Sequence, residues 1–94
     1  MTSTFENIEK EKIEALKFPS DEVLTDQGAI KERETELNRA LSLGNLEHTK
    51  IKIYFEDDLS KKIVETTVWG VTDKRVILKQ GIMIPINRVH KISL

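Results

Sequence analysis

The side chains with the most scope for chemistry in this sequence are basic. Lys50 and Lys52 lie two apart in HTKIKIYFED, Arg75 leads out of the turn TDKR, and Arg88 and Lys91 flank a kink near the last residues. Residues two apart on a β-strand share a face, so Lys50 and Lys52 share the outside of one strand. Lys50, Lys52, Arg75, Arg88 and Lys91 together make a candidate binding strip able to contact phosphates. Alternating strands also place lysine and arginine outside for a structural reason, because lysine discourages pairing between sheet edges. Both readings stand on the sequence.

Other chemistry is harder to assemble. The two histidines, His48 and His90, have no second ligand at helical spacing, so no zinc signature is present and each reads as a surface or rim residue. There are no cysteines, which removes disulfides, thiolate metal sites and cysteine nucleophiles. Gly28, Gly44, Gly70 and Gly81 are scattered, each suiting a turn, cap or bend, and form no phosphate loop. Glu32, Glu34 and Glu36 cannot share one helix face because positions i and i+2 diverge; they read as solvated helix surface. No serine stands in a strand–turn–helix elbow. Trp69, the one tryptophan, reads as a core residue on a curved strand, with an exposed stacking platform as the alternative. The expectation is a non-enzyme with no cofactor and no metal.

The elements that would carry these residues follow from periodicity. Residues 5–17 suggest a first helix with Phe5, Ile8, Ile13 and Leu16 loosely on one side, broken by Phe18-Pro19. A better-supported helix covers 27–43, capped by Asp26 and ended by Gly44-Asn45, with Ile30, Leu37 and Leu41 facing a core and Leu46 folding back on the last turn. From His48 the period becomes two. Ile51, Ile53 and Phe55 point in, while Lys50, Lys52, Tyr54 and Glu56 point out. Residues 62–72 predict a long strand with apolar groups on both faces and a bend at Gly70. Strands over 75–80 and 82–86, and a last one holding Val89, Ile92 and Leu94, complete the set.

Five short strands with tight connections predict an antiparallel sheet curled toward a barrel. The fold class is therefore α+β, one domain over 1–94, with a first helix in 1–19, a helical stretch over 20–47 and the barrel over 48–94. The helix plugs the barrel through Ile30, Leu37, Leu41, Ile53, Phe55, Val68, Ile77 or Leu78, Ile84 and Ile92.

Charge is unevenly placed. Residues 1–47 carry six basic and eleven acidic side chains, net −5, and residues 48–94 carry nine and five, net +4. The halves can attract each other within or between chains, or the barrel can meet an acidic partner. No stretch reads as a signal peptide or a membrane span, and the missing cysteines fit the cytoplasm.

The run from Glu36 to Leu94 resembles the Sm-like small barrels with a leading helix, and within them the Rho-inhibitor Rof. The carrying residues are TELNRALSLG, HTKIKIYFED, the bent strand ending in VWGVTD and the tail IPINRVHKI. That resemblance implies an Sm/SH3-like barrel that acts by binding another protein. The Asp-x-x-x-Asn set and the Arg-Gly pair of the Sm RNA-binding loops are not found here. A second, local resemblance joins VTDKRVILKQGI and IPINRV, Val71 to Val89, to bacterial pleckstrin-homology-like domains. It implies shared hairpin chemistry, because a full domain of that kind has more strands and a C-terminal helix beyond this point. The chain as a whole looks like a small bacterial protein family.

Composition, pattern and resemblance lead to a non-catalytic binding module, its partner most readily another protein. RNA binding through the basic strip and a purely structural or oligomeric role are the alternatives. A homodimer has two motives: unpaired edges at 82–86 and 89–94, and a first helix whose apolar residues lack a place in the core.

Overall fold

The computed structural model describes residues 5–94. It is α+β, with one α-helix and seven short strands in two sheets.

The helix, α1 (Gln27–Glu47), begins where the sequence predicts. The Asp26 carboxylate accepts a hydrogen bond from the Ala29 amide at 3.0 Å, satisfying a donor of the first turn. Arg33, Leu37, Ala40 and Gly44 are its buried residues. Their spacing of four, three and four makes one continuous stripe. The helix does not stop at Gly44-Asn45. It continues to Glu47 and is capped by His48 in the left-handed region (φ 55°), whose amide donates to the Gly44 carbonyl. Gly44 is there for close approach: a β-carbon on it would overlap the Val68 carbonyl oxygen. Leu46, expected to fold back on the last turn, is 82% exposed.

Before the helix lies a strap, not a first α-helix. Residues Glu6–Asn7 form β1, parallel to β3 (Lys61–Thr66), and the Ile8 amide donates to the Ile63 carbonyl. Lys10–Ala15 is a 3-10 helix. Phe5, Ile8, Ile13 and Leu16 could share one broad α-helical side; the pairing of β1 with β3 and the packing of the 3-10 turn on β3 and β6 override that local pattern. Ile13 is 1% exposed, with Ile8, Leu16 and Phe18 packed against the same core. That burial removes one motive for a dimer, since these residues do have a place in the core.

The strand β2 (Ile51–Glu56) pairs antiparallel with β3 on one side and with β7 (Val89–Ser93) on the other, giving a sheet in the order β1-β3-β2-β7. The second sheet is β4-β5-β6, from Val68–Val71, Arg75–Leu78 and Met83–Pro85. The predicted long strand is β3 followed directly by β4. It divides at buried Thr67, whose carbonyl accepts from Lys79, and not at Gly70. One bent stretch therefore serves both sheets. Among the described residues β6 does not pair with β7, so the expected five-stranded barrel is not closed.

The inward faces converge as the alternation requires: Ile51, Ile53, Phe55, Val64, Val68, Val76, Leu78, Ile84, Val89 and Ile92 are buried together with Leu37 and Ala40 of α1. Leu78 is the inward residue of β5 and Ile77 the outward one. Ile30 and Leu41 are only half-buried. The helix α1 packs on β4 and β7, and the 3-10 helix of the strap packs on β3 and β6. No described helix is long and apolar enough to cross a membrane.

Candidate functional site

The five basic residues singled out from the sequence do not form one strip. Lys52 lies on the outer face of β2, opposite Glu65 of β3 and Ser93 of β7, and exposed Lys50 extends the same alternation. Lys91 of β7 stands opposite Tyr54, with its Nζ 4.7 Å from the ring centroid. Arg75 is on the other sheet, opposite Pro85.

Arg88 is not on a surface at all. It is 6% exposed, in the 3-10 turn Ile86–Arg88. Its Nε donates to the Glu56 carbonyl at 3.1 Å, Nη1 to the Asp21 carbonyl at 2.9 Å and Nη2 to the Asp57 carbonyl at 3.2 Å. A guanidinium whose donors are all turned inward is a clamp between segments.

Two ion pairs also tie segments together. Arg33 holds Glu22 through two contacts of 2.6 and 2.7 Å and also donates to the Val89 carbonyl at 3.0 Å, tying strap, helix and β7 together. The Arg33 hydrogen bonds hold the Glu22 carboxyl below the usual carboxylate range. Burial pushes the Asp57 carboxyl up. The Ser60 amide, the Lys62 ammonium at 3.1 Å and the Leu59 amide outweigh that, so Asp57 also titrates low. A cleft of about 630 Å³ includes Glu22, Arg33 and Arg75 in its lining. Its Glu22–Arg33 pair is already satisfied internally.

The outer face of the four-stranded sheet is balanced. Phe5 meets the edges of Tyr54 and His90 at centroid distances of 5.2 and 5.6 Å. Lys61 sits 5.7 Å from the Phe5 centroid and opposite Glu56, whose carboxylate contacts His90 Nε2 at 2.9 Å. The rings and the Glu56 carboxylate on this face already have partners, while Lys52 and Glu65 face each other by register alone.

The outer face of β4-β5-β6 is different. Pairing moves from Val68↔Leu78 to Gly70↔Ile77, leaving Trp69 as the extra residue of a β-bulge. A bulge re-aims its side chain, and Trp69 is 51% exposed instead of lying in the core. Ile77 faces Met83 across the sheet, and Met83 is 50% exposed. Arg75 and Lys79, both exposed, stand two residues to either side of Ile77. The sequence singles out Arg75 here for its charge and gives Trp69 an exposed platform only as the alternative to a core position. The alternation Arg75-x-Ile77-x-Lys79 was the legible signal, and the Trp69-Gly70 pair was a cue to a bulge as much as to a bend.

Comparison of the chain with protein-family models, with curated proteins and with solved structures gave no match.

Proposed function

We propose that this protein is a non-catalytic module that binds another protein through the outer face of β4-β5-β6. The observation that carries the reading is Trp69, turned half into solvent by the bulge on the same three-stranded sheet that carries exposed Met83. Leaving a large aromatic in water forgoes burial that stabilises a fold by roughly 1.5–3 kcal/mol for a large apolar side chain. Tryptophan also dominates protein contacts energetically, because it combines area with few rotatable bonds. The Glu22–Arg33 pair in the cleft it lines is engaged internally, which favours binding over catalysis there.

The Sm/SH3-like barrel remains a reading of the sequence resemblance; the strand order β1-β3-β2-β7 and β4-β5-β6 describes two open sheets. RNA binding is the weaker alternative. Lys52 faces Glu65, Lys91 lies on Tyr54, and Arg88 is spent on backbone carbonyls. A phosphate-binding strip needs free cations in a row.

Affinity capture from the native cytoplasm, with and without nuclease, tests the reading. A specific protein retained after nuclease treatment, and lost with Trp69→Ala, is the expected result. A partner set that disappears with nuclease points to RNA instead.

A further inference from the structure

The outer face of β4-β5-β6 has a charge pattern as well as an apolar one. The row Trp69-Gly70, Ile77 and Met83 crosses all three strands by register. Arg75 of β5 and Lys79, the first residue of the 3-10 turn Lys79–Gly81 that follows the strand, are exposed and lie two residues to either side of Ile77 in sequence. Two residues along a strand span about 7 Å, so the Arg75 backbone lies about that far from Ile77 at one end, while Lys79 lies just past the strand at the other. No outward position of these strands carries a carboxylate. Carboxylates do stand nearby at one end: Glu14 of the strap lines a cleft with Arg75 and Met83, and Asp73 of the turn lines another with Arg75.

We infer that this face takes an acidic protein segment in which a bulky apolar anchor is flanked on both sides by carboxylates about 7 Å away. The inference rests on the protein-binding reading above and specifies its partner. The anchor buries against Trp69, Ile77 and Met83, and the carboxylates meet Arg75 and Lys79. An extended segment supplies this spacing as acid-x-apolar-x-acid, and a helix supplies it at four-residue intervals, about 6 Å. Charge complementarity then sets register and orientation, while the aromatic contact supplies most of the affinity. A second copy of the same face is a poor occupant, because a two-fold contact would set Arg75 and Lys79 against their own equivalents. Nucleic acid is also poorer: two cations flanking an aliphatic row offer little to a phosphate backbone.

Selection of short randomised peptides on the full-length protein tests this, with Trp69 as a built-in reporter because it is the only tryptophan. The expected consensus has acidic residues on both sides of an aromatic or aliphatic anchor. The synthetic consensus peptide should shift Trp69 emission to the blue. Its affinity, read by anisotropy of a labelled peptide, should fall at least ~10-fold with Trp69→Ala. The double variant Arg75→Glu, Lys79→Glu should select lysine- or arginine-flanked anchors instead, and Lys50→Glu with Lys52→Glu should change nothing. Trp69-dependent peptides without carboxylates would overturn the inference and leave the protein-binding reading standing. No Trp69-dependent peptide at all would overturn both, and a poly(U) oligonucleotide that perturbs Trp69 emission would replace them with RNA binding.

Discussion

Gly44 of α1 lies directly against the carbonyl of Val68 in β4, with no room between them for a β-carbon. The helix meets the bent strand backbone to backbone, at the strand's passage from one sheet to the other. The same contact holds Val68 in the core and leaves the next residue, Trp69, to the bulge.

Gly44→Ala should therefore run against helix propensity. In an exposed helix interior alanine gains about 1 kcal/mol over glycine. Here the methyl group meets backbone, which yields less easily than a side-chain tip, and overpacking of this kind costs about 1–3 kcal/mol. Urea unfolding should show a lower midpoint for the variant. An unchanged or higher midpoint would mean that the helix can move off β4 without loss.

Arg88→Lys should destabilise nearly as much as Arg88→Ala. The guanidinium reaches three carbonyls, of Asp21, Glu56 and Asp57, in three directions. An ammonium cannot reproduce that fork, and buried carbonyls left unpaired cost about 1–3 kcal/mol each. Both variants should lose about 2–4 kcal/mol in denaturant titrations. Full rescue by lysine would show that Arg88 contributes only its charge.

Stability should fall in acid through Glu22 and Asp57. Both carboxyls titrate lower in the folded protein than in the unfolded chain. The unfolded state then binds more protons at low pH, so this contribution is present above about pH 4–5 and is lost as pH falls through the folded values. Glu22→Gln should flatten part of the acid limb in urea unfolding measured from neutral pH down to about pH 2.5. Parallel limbs for variant and wild type would contradict the role given to the Arg33–Glu22 pair. Because Glu22 is partly solvent-exposed, its share should be smaller than its short contacts suggest.

The sequence disclosed what depends on local period. The alternation of Ile51, Ile53 and Phe55, the Asp26 cap and the inward Ile84 lie where the pattern puts them, and the choice left open between Ile77 and Leu78 falls to Leu78. Three features were hidden because they depend on contacts distant in the chain. Gly44 looked like a helix terminator, since nothing local reveals the strand pressed against it. Arg88 looked like surface charge, since its carbonyl partners lie 31 to 67 residues away. The strap looked like a helix because glutamate and lysine favour helices wherever they occur, whereas Ile13 is held by β3 and β6. The candidate site was half legible: Arg75 was named for its charge, and Trp69 was assigned inward because a bulge shifts the face on which a side chain appears.

The most direct test of the binding face is the indole N–H resonance of Trp69, unique in the spectrum of this chain. On titration with the captured partner, or with its binding segment, that signal should shift or broaden together with the amides of Ile77 and Met83, while those of Lys50, Lys52 and Lys91 hold still. Perturbation confined to the Lys50–Lys52–Lys91 face, with the Trp69 indole unmoved, would contradict the account.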